Sequence, residues 1–284
     1  MRILVTGTAG KVGRYTAREL ADSGHEVVHV DRVRPAEPVP GPFLLADLAD
    51  YGQTVDAFAQ FRPEAVCHIA ANPAPGGHPR HQVFANNTLS AYHVLEAAGD
   101  FGCCRVIYAS SEMATGWLTT DQLPPRLPFA EEDRVASPNA YALSKYLSEV
   151  IADALAARYP QTAYCGLRLN NVIVPPEGYA AMARQRARFP EGAGNFWSYL
   201  DVRDAARAFR AAVEGESRGN EVFLVAAADT RLELPIQEAL ARVHGSRAPA
   251  CAPGHGPHQS LFDCGKMARF FGWRAQYSWR DAVV

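Results

Sequence analysis

The sequence predicts an α/β fold in which helices cover both faces of a doubly wound parallel sheet. Short apolar runs alternate with amphipathic stretches over the first two-thirds of the chain. Those runs contain few polar positions, which is typical of strands buried on both faces. After about residue 170 the pattern changes to loops rich in proline and glycine. Because crossovers between parallel strands are right-handed, the alternation indicates a doubly wound sheet.

Five strands and four helices are predicted in the first part of the chain. Strands, marked by short apolar runs, are expected at Ile3–Val5, Val27–Val30, Ala65–Ile69, Val106–Ala109 and Ala163–Leu167. Helices, marked by amphipathic stretches, are expected at Lys11–Ser23, Tyr51–Gln60, Val83–Gly99 and Pro138–Arg158. Ser137 is the expected N-cap of the last helix, with Pro138 in its first turn.

The later part of the chain is expected to form a small lobe over the carboxyl ends of the strands, where open α/β sheets bind ligands. We assign residues 1–170 to the sheet domain and residues 171–284 mostly to the lobe. A helix at Asp201–Glu214 and a strand at Glu221–Val225 are expected to return to the sheet domain. A late helix is expected at Phe262–Phe271.

Length and composition exclude several classes of protein. The 284 residues suffice for one large domain with a small lobe, and 48% of them are hydrophobic. A net charge of −2 with scattered basic residues does not indicate a nucleic-acid partner. No signal-peptide pattern and no run of ~18 apolar residues is present, so no membrane association is expected. Six cysteines without Cys-x-x-Cys spacing indicate reduced thiols and a cytoplasmic protein.

A glycine-rich segment, Gly7-Thr8-Ala9-Gly10-Lys11-Val12-Gly13, follows the first predicted strand and opens the first predicted helix. Glycines allow a tight turn, and free N–H groups at a helix start bind a pyrophosphate. Asp31 ends the second strand and can accept hydrogen bonds from the ribose hydroxyls, which favours NAD. Arg32 and Arg34 leave NADP as an alternative, because an arginine can hold a 2′-phosphate.

Tyr141 and Lys145 lie four residues apart near the start of a predicted helix and therefore share one face. A tyrosine with its ordinary pKa of ~10 is a poor base at neutral pH, and a nearby ammonium is expected to lower that pKa. The same ammonium can bind the nicotinamide ribose, which places the base beside the hydride acceptor. Since only three of the 28 basic residues are lysines, this spacing rarely arises by chance.

Together these motifs resemble the extended short-chain dehydrogenase/reductase family of sugar-nucleotide epimerases, dehydratases and sugar dehydrogenases. Further landmarks are Asp47-Leu48, His68-Ile69-Ala70-Ala71, Asn87, Ala109-Ser110-Ser111-Glu112 and Arg168-Leu169-Asn170-Asn171. The resemblance implies a Rossmann-type fold, a homodimer and a carbohydrate-type substrate. It makes Ser111 the third catalytic residue beside Tyr141 and Lys145, with Ser110 as the alternative. It also implies that the cofactor contacts Asp47, Leu48, Ala70, Ala71 and Asn87. For Asp47 the alternative is an ordinary polar cap.

Two departures from the family pattern narrow the predicted reaction. Dehydratases of the family carry Asp-Glu after the catalytic hydroxyl residue, whereas this chain has Glu112-Met113, and methionine cannot act as a base. Epimerases usually carry Tyr-Gly where this chain has Thr115-Gly116. The short chain is also similar to uronate dehydrogenases. We therefore expect an NAD-dependent dehydrogenase, with an epimerase and a non-catalytic dinucleotide sensor as alternatives.

Contacts to the substrate are predicted from position alone. The candidate residues are Pro73, His78, Ser111, Glu112, Asn171 and Tyr199. His78-x-x-His81 and His255-x-x-His258 have metal-like spacing, but no carboxylate or cysteine completes a credible set of ligands. No metal is therefore expected.

Overall fold

The computed structural model describes residues 1–37, 39–73, 76–185 and 189–282. Its strands are β1 (Arg2–Thr6), β2 (Glu26–Asp31), β3 (Phe43–Leu45), β4 (Ala65–His68), β5 (Arg105–Ser111), β6 (Ala163–Leu169), β7 (Val172–Ile173), β8 (Leu200–Asp201) and β9 (Asn220–Val225). Seven of them form one parallel sheet in the order β3-β2-β1-β4-β5-β6-β9, and β7 pairs with β8 separately. This arrangement confirms the predicted doubly wound α/β fold.

Helices cover both faces of the large sheet. They are α1 (Lys11–Asp22), α2 (Tyr51–Phe61), α3 (Arg80–Asp100), α4 (Ala140–Arg158), α5 (Glu177–Gln185), α6 (Val202–Glu214), α7 (Ile236–His244), α8 (Gly265–Phe271) and α9 (Trp279–Ala282). Because successive strand residues point to opposite faces, Ile3 packs on the side of α1 and α6, while Leu4 packs on the side of α2, α3 and α4. Ile3 and Leu4 are both fully buried, so the chain has a core on each side of the sheet.

The start of α4 differs from the prediction by two residues. Its N-cap is Asn139 and not Ser137, because the Asn139 Oδ1 atom accepts hydrogen bonds from the backbone N–H groups of Tyr141 and Ala142 at 2.9 and 3.1 Å. The Ser137 hydroxyl lies two residues earlier, outside the helix, where it accepts from the Asn139 N–H. This cap fixes the first turn of the helix that carries Tyr141.

The late helix also begins later than predicted. Phe262 instead forms an isolated parallel bridge with Phe129, in which the Phe129 N–H donates to the Leu261 carbonyl and the Asp263 N–H donates to the Phe129 carbonyl. The sequence pattern also missed β3, α5 and α7. The edge strand β3 is only three residues long, too short to show a period.

Two late elements belong to the large sheet layer. Strand β9 pairs in parallel with β6, with Gly166 opposite Val222, and α6 packs beside α1. Another buried cluster lies in the later chain around Phe129, Trp197 and Leu261. The division of the chain into a sheet domain and a small lobe stays a prediction. Among the described helices, none is long and apolar enough to span a membrane.

Candidate functional site

A cavity of about 840 Å³ opens at the carboxyl ends of β1, β2, β4, β5 and β6. Most of the predicted cofactor residues line it, namely Gly7, Ala9, Gly10, Lys11, Val12, Gly13, Asp31, Arg32, Asp47, Leu48, Ala70, Ala71, Tyr141 and Lys145. The glycine loop and the tyrosine–lysine pair therefore share one cavity, although about 130 residues separate them in sequence.

The glycine loop is packed so closely that side chains are excluded at two positions. A Cβ atom on Gly13 would lie 2.1 Å from the Gly7 carbonyl oxygen. Gly7 has a φ of +74°, and a Cβ atom there would lie 2.7 Å from the Ala70 backbone nitrogen. At Gly10 an added Cβ would meet only the Gly7 carbonyl, at 3.2 Å. The loop thus brings backbone N–H groups at the start of α1 to the cavity, as a pyrophosphate requires.

Asp31 joins the end of β2 to this loop. Its Oδ2 atom accepts from the Ala9 N–H at 2.8 Å, and its Oδ1 atom accepts from the Val33 N–H at 3.2 Å. Each carboxylate oxygen has a further lone pair, so the buried carboxylate can still accept from ribose hydroxyls. The residues present therefore fit the adenosine half of a dinucleotide.

The two arginines after β2 both have partners. Arg32 donates from Nη2 to the Asn72 Oδ1 atom at 3.1 Å, and the Arg34 guanidinium lies 5.4 Å from the centre of the Phe43 ring. Arg32 still lines the cavity beside Asp31.

Asn87 is buried behind the cavity and does not line it. Its Oδ1 atom accepts from the Asn72 N–H at 2.7 Å, and its Nδ2 atom donates to the Asn72 carbonyl at 3.2 Å. It therefore holds the loop after β4, while Asn86 and Ser90 of α3 reach the cavity. Asn87 is thus not among the residues that line the cavity, and its contact with the cofactor stays a prediction.

Tyr141, Lys145 and Ser111 meet where β5 ends. The Lys145 Nζ atom donates to the Ala109 carbonyl at 2.8 Å and lies 5.9 Å from the centre of the Tyr141 ring. Ser111 is the last residue of β5, and hydrogen bonding to it lowers the pKa of the Tyr141 phenol. All three side chains are buried at the wall of the cavity.

The neighbouring serine has a different partner. The Ser110 hydroxyl donates to the Glu149 Oε1 atom at 2.5 Å, and Glu149 forms a buried ion pair with Arg168 at 2.9 Å. Ser110 is therefore held by a structural network, while Ser111 lies next to Tyr141. The geometry favours Ser111 over Ser110 as the catalytic serine.

The expected lowering of the Tyr141 pKa by Lys145 is wrong for the protein without cofactor. Burial raises the pKa of Tyr141 to about 12, and burial lowers the pKa of Lys145 to about 8. Water is excluded from both groups, and this loss of solvation opposes the phenolate and the ammonium alike. A working base at this position therefore needs further positive charge in the site.

The predicted substrate residues divide into two groups. Pro73, Ser111, Glu112 and Asn171 line the cavity. His78 is exposed and does not line it. Tyr199 is fully buried elsewhere, where its hydroxyl donates to Asp229 at 2.6 Å and accepts from the Trp279 N–H at 3.0 Å.

Several lining residues were missed by the sequence reasoning, namely Met113, Leu118, Asn170, Gly194 and Asn195. Asn170 carried a signal, since it follows β6 directly at the binding edge of the sheet. Asn195 carried none, because its loop reaches the cavity only through the tertiary structure. Within the described ranges, no cluster of three or more histidine, cysteine or acidic side chains is arranged to hold a metal ion.

Comparison with known proteins identifies the family. The model of the NAD dependent epimerase/dehydratase family matches residues 3–226, which include the glycine loop, Tyr141 and Lys145. The chain belongs to this family. The match confirms the predicted resemblance to extended short-chain dehydrogenases/reductases. It also confirms the predictions that the protein is an NAD-dependent enzyme and that its cofactor is NAD.

Known relatives and solved structures resemble the chain over all or part of its length. A UDP-glucose 4-epimerase of Lacticaseibacillus casei is 26% identical over an alignment of 321 positions, covering 100% of this chain and 95% of its own. Other relatives at 27–30% identity are matched over only 47–54% of their length. The structure of a UDP-glucose-4-epimerase from Stenotrophomonas maltophila with bound NAD has a TM-score of 0.74 at 23% identity, covering 99% of this chain and 95% of that one. A mutated uronate dehydrogenase has a TM-score of 0.71 at 23% identity, covering 99% and 85%.

Replacing Lys145 with methionine is expected to stabilise the cofactor-free protein. Below pH 8 the folded chain carries the buried ammonium, and burial opposes that charge. This burial of charge lowers the free energy of unfolding. The loss shrinks as the pH rises from about 8 toward the ordinary lysine pKa of 10.5, because over that range the folded chain has released the proton while the unfolded chain still holds it. Chemical denaturation at pH 7 should show a gain of about 1 to 3 kcal/mol in the free energy of unfolding, and a smaller gain near pH 10.

The matched control is Lys266→Met. The Lys266 side chain pairs with Glu221 at 2.7 Å, so its removal should not stabilise the protein. A Lys145→Met variant that is less stable than wild type at pH 7 would contradict the account of a buried, disfavoured charge.

Proposed function

We propose that this chain oxidises a hydroxyl group of a sugar, sugar acid or sugar nucleotide with NAD, through Ser111, Tyr141 and Lys145. The observation that carries the proposal is the meeting of these three side chains at the end of β5, in the cavity bordered by the glycine loop. Such an arrangement serves a reaction in which a proton leaves an oxygen beside a bound dinucleotide. A carbohydrate-type substrate is supported by the epimerase and dehydrogenase relatives.

The glycine loop and Asp31 would hold NAD, which supplies the acceptor for the hydride that the substrate carbon loses. Ser111 would hold the reacting oxygen, and Tyr141 would take its proton as the C–O bond becomes a carbonyl. The Lys145 Nζ atom lies 5.9 Å from the centre of the Tyr141 ring, so its ammonium would add to the positive charge that stabilises the phenolate once NAD is bound. The Ala109 carbonyl holds that ammonium in place.

Epimerisation is the second candidate. It begins with the same proton and hydride transfers but keeps the carbonyl intermediate, which is then reduced from its other face. The full-length match to a UDP-glucose 4-epimerase favours it. The position of Met113 after Glu112, where a family dehydratase has a carboxylate, argues against dehydration in either case.

Products distinguish the two candidates. The protein is incubated with NAD or NADP and a panel of free sugars, uronic acids and nucleotide sugars, while reduced cofactor is followed by absorbance and products by mass spectrometry. Oxidation yields reduced cofactor and a product lighter by two hydrogens. Epimerisation yields an isomer of unchanged mass without net reduction of the cofactor. Binding of dinucleotide without turnover of any substrate would instead support a non-catalytic sensor.

Tyr141→Phe is expected to lower kcat/KM by about 100- to 10,000-fold, because the ring remains but the proton acceptor is lost. Ser111→Ala should lower kcat/KM by about 10- to 1000-fold. Ser110→Ala is the control, and its effect should be much smaller because that hydroxyl contacts Glu149. Steady-state kinetics measures all three. Full turnover by Tyr141→Phe would refute the proposed base.

We also propose that the protein is a cytoplasmic homodimer that associates through α3 and α4. These two helices pack against each other and carry four apolar side chains that are 39–45% exposed, namely Leu89, Tyr92, Leu143 and Val150. Two-helix faces of this kind can pair with a second copy by two-fold symmetry. The cytoplasmic location is supported by six cysteines that are all free thiols.

Leu89→Asp and Val150→Asp are expected to shift the protein toward monomer, because each places a charge on the apolar face of the proposed interface. Leu45→Asp is the control, since Leu45 is 55% exposed on the edge strand β3, away from α3 and α4. Analytical ultracentrifugation measures the oligomeric state. A wild-type monomer, or a dimer that both substitutions leave intact, would contradict the proposed interface.

A further inference from the structure

Two buried polar atoms at the wall of the cavity have no hydrogen-bond partner. They are the Glu112 Oε2 atom and the Asn170 Nδ2 atom, on residues that are only 7% and 3% exposed. The two groups are neighbours, and the Asn170 side chain lowers the pKa of Glu112, but neither of these two atoms has a partner in good hydrogen-bond geometry. Buried polar groups in proteins are almost always hydrogen-bonded, so a pair of unpartnered ones inside a ligand cavity indicates that a bound molecule supplies the partners.

These atoms lie beside the proposed reacting centre. Glu112 follows Ser111 and opens a short 3₁₀ helix over Glu112–Thr115. When ionised, its carboxylate adds to burial in raising the pKa of Tyr141, so the carboxyl group lies close to the phenol. Asn170 follows Leu169 of β6, and Leu169 is the register partner of Ser111 in the sheet. Glu112 and Asn170 are thus brought together at the same edge, next to the catalytic serine.

The chemistry of the pair is that of a receptor for a neutral hydroxyl group. Burial raises the pKa of Glu112 well above its ordinary range, and the charge of Arg231 together with hydrogen bonding from Asn171 and Asn170 only partly opposes this. A neutral carboxyl group offers one O–H donor and an acceptor oxygen, while the Asn170 amide offers N–H donors. A hydroxyl group can donate to the carboxyl and accept from the amide at once. A methylene group would leave both protein atoms unpartnered.

We propose that Glu112 and Asn170 bind a second hydroxyl group of the substrate, on the carbon next to the one that is oxidised. The substrate class is then a molecule with two neighbouring hydroxyl groups, of which Ser111 and Tyr141 bind one and Glu112 and Asn170 bind the other. This inference rests on the proposed function, because the reacting carbon is defined by Ser111 and Tyr141. It adds a specificity-determining pair to that site.

The test compares sugars that differ by one hydroxyl group. The probe pairs are D-glucose with 2-deoxy-D-glucose, and UDP-glucose with UDP-3-deoxyglucose. Their binding to the NADH-saturated protein is measured by calorimetry, which requires no turnover. The variants are Glu112→Ala, Glu112→Gln and, as matched control, Glu216→Gln, which changes an exposed loop glutamate.

In at least one pair the fully hydroxylated sugar should bind wild type and Glu216→Gln about 10- to 100-fold more tightly than its deoxy analogue. Glu112→Ala should reduce that ratio to near one. Glu112→Gln should cause a smaller loss, of about threefold, because an amide also offers a donor and an acceptor. Equal binding within both pairs, or a preference that survives in Glu112→Ala, would overturn the proposal.

Binding of NADH is measured first for each variant and separates the two possible failures. A wild-type protein that does not bind NADH refutes the proposed function and this inference with it. A protein that binds NADH and depends on Tyr141 for turnover, but does not distinguish the paired sugars, refutes the role of Glu112 and Asn170 alone. Binding of NADH by Glu112→Ala also shows that this variant is folded.

Discussion

The hydrogen bond from the buried Lys145 ammonium to the Ala109 carbonyl joins helix α4 to the carboxyl end of β5. It fixes the rotation of the helix, and with it the side chain of Tyr141 one turn earlier. The Asn139 cap fixes the start of the same helix. Since Ser111 lies two residues beyond Ala109 on the strand, this one contact determines how the proposed base, its charged neighbour and the serine face the cavity.

The same burial that orders this site opposes its chemistry in the cofactor-free protein. Tyr141 and Lys145 both have pKa values shifted toward their uncharged forms. Glu112 is shifted in the same sense. A site of this kind is less stable than its packing alone would allow, which is common where charge is needed for function. Positive charge added beside Tyr141 would favour its phenolate, and the oxidised nicotinamide ring carries such charge.

Local spacing explains why the cofactor loop and the tyrosine–lysine pair could be predicted from the sequence. The positions of Gly7 and Gly13 follow from the turn that joins β1 to α1, and the shared face of Tyr141 and Lys145 follows from helical geometry. Tyr199 was misplaced because its partner Asp229 is distant in sequence and holds the hydroxyl away from the cavity. The missing partners of Glu112 and Asn170 depend on the register of β5 and β6, which no local pattern reveals.

The ionisation of Tyr141 in the presence of NAD decides whether this side chain can act as the base. Tyrosinate absorbance is titrated for wild type and Tyr141→Phe, with and without saturating NAD, so that the difference isolates Tyr141 from the other tyrosines. The expected pKa of Tyr141 is about 12 without cofactor. With NAD bound the pKa should be lower by about 1 to 3, and the decrease should be smaller in Lys145→Met. A pKa that stays near 12 in the NAD complex would contradict Tyr141 as the base.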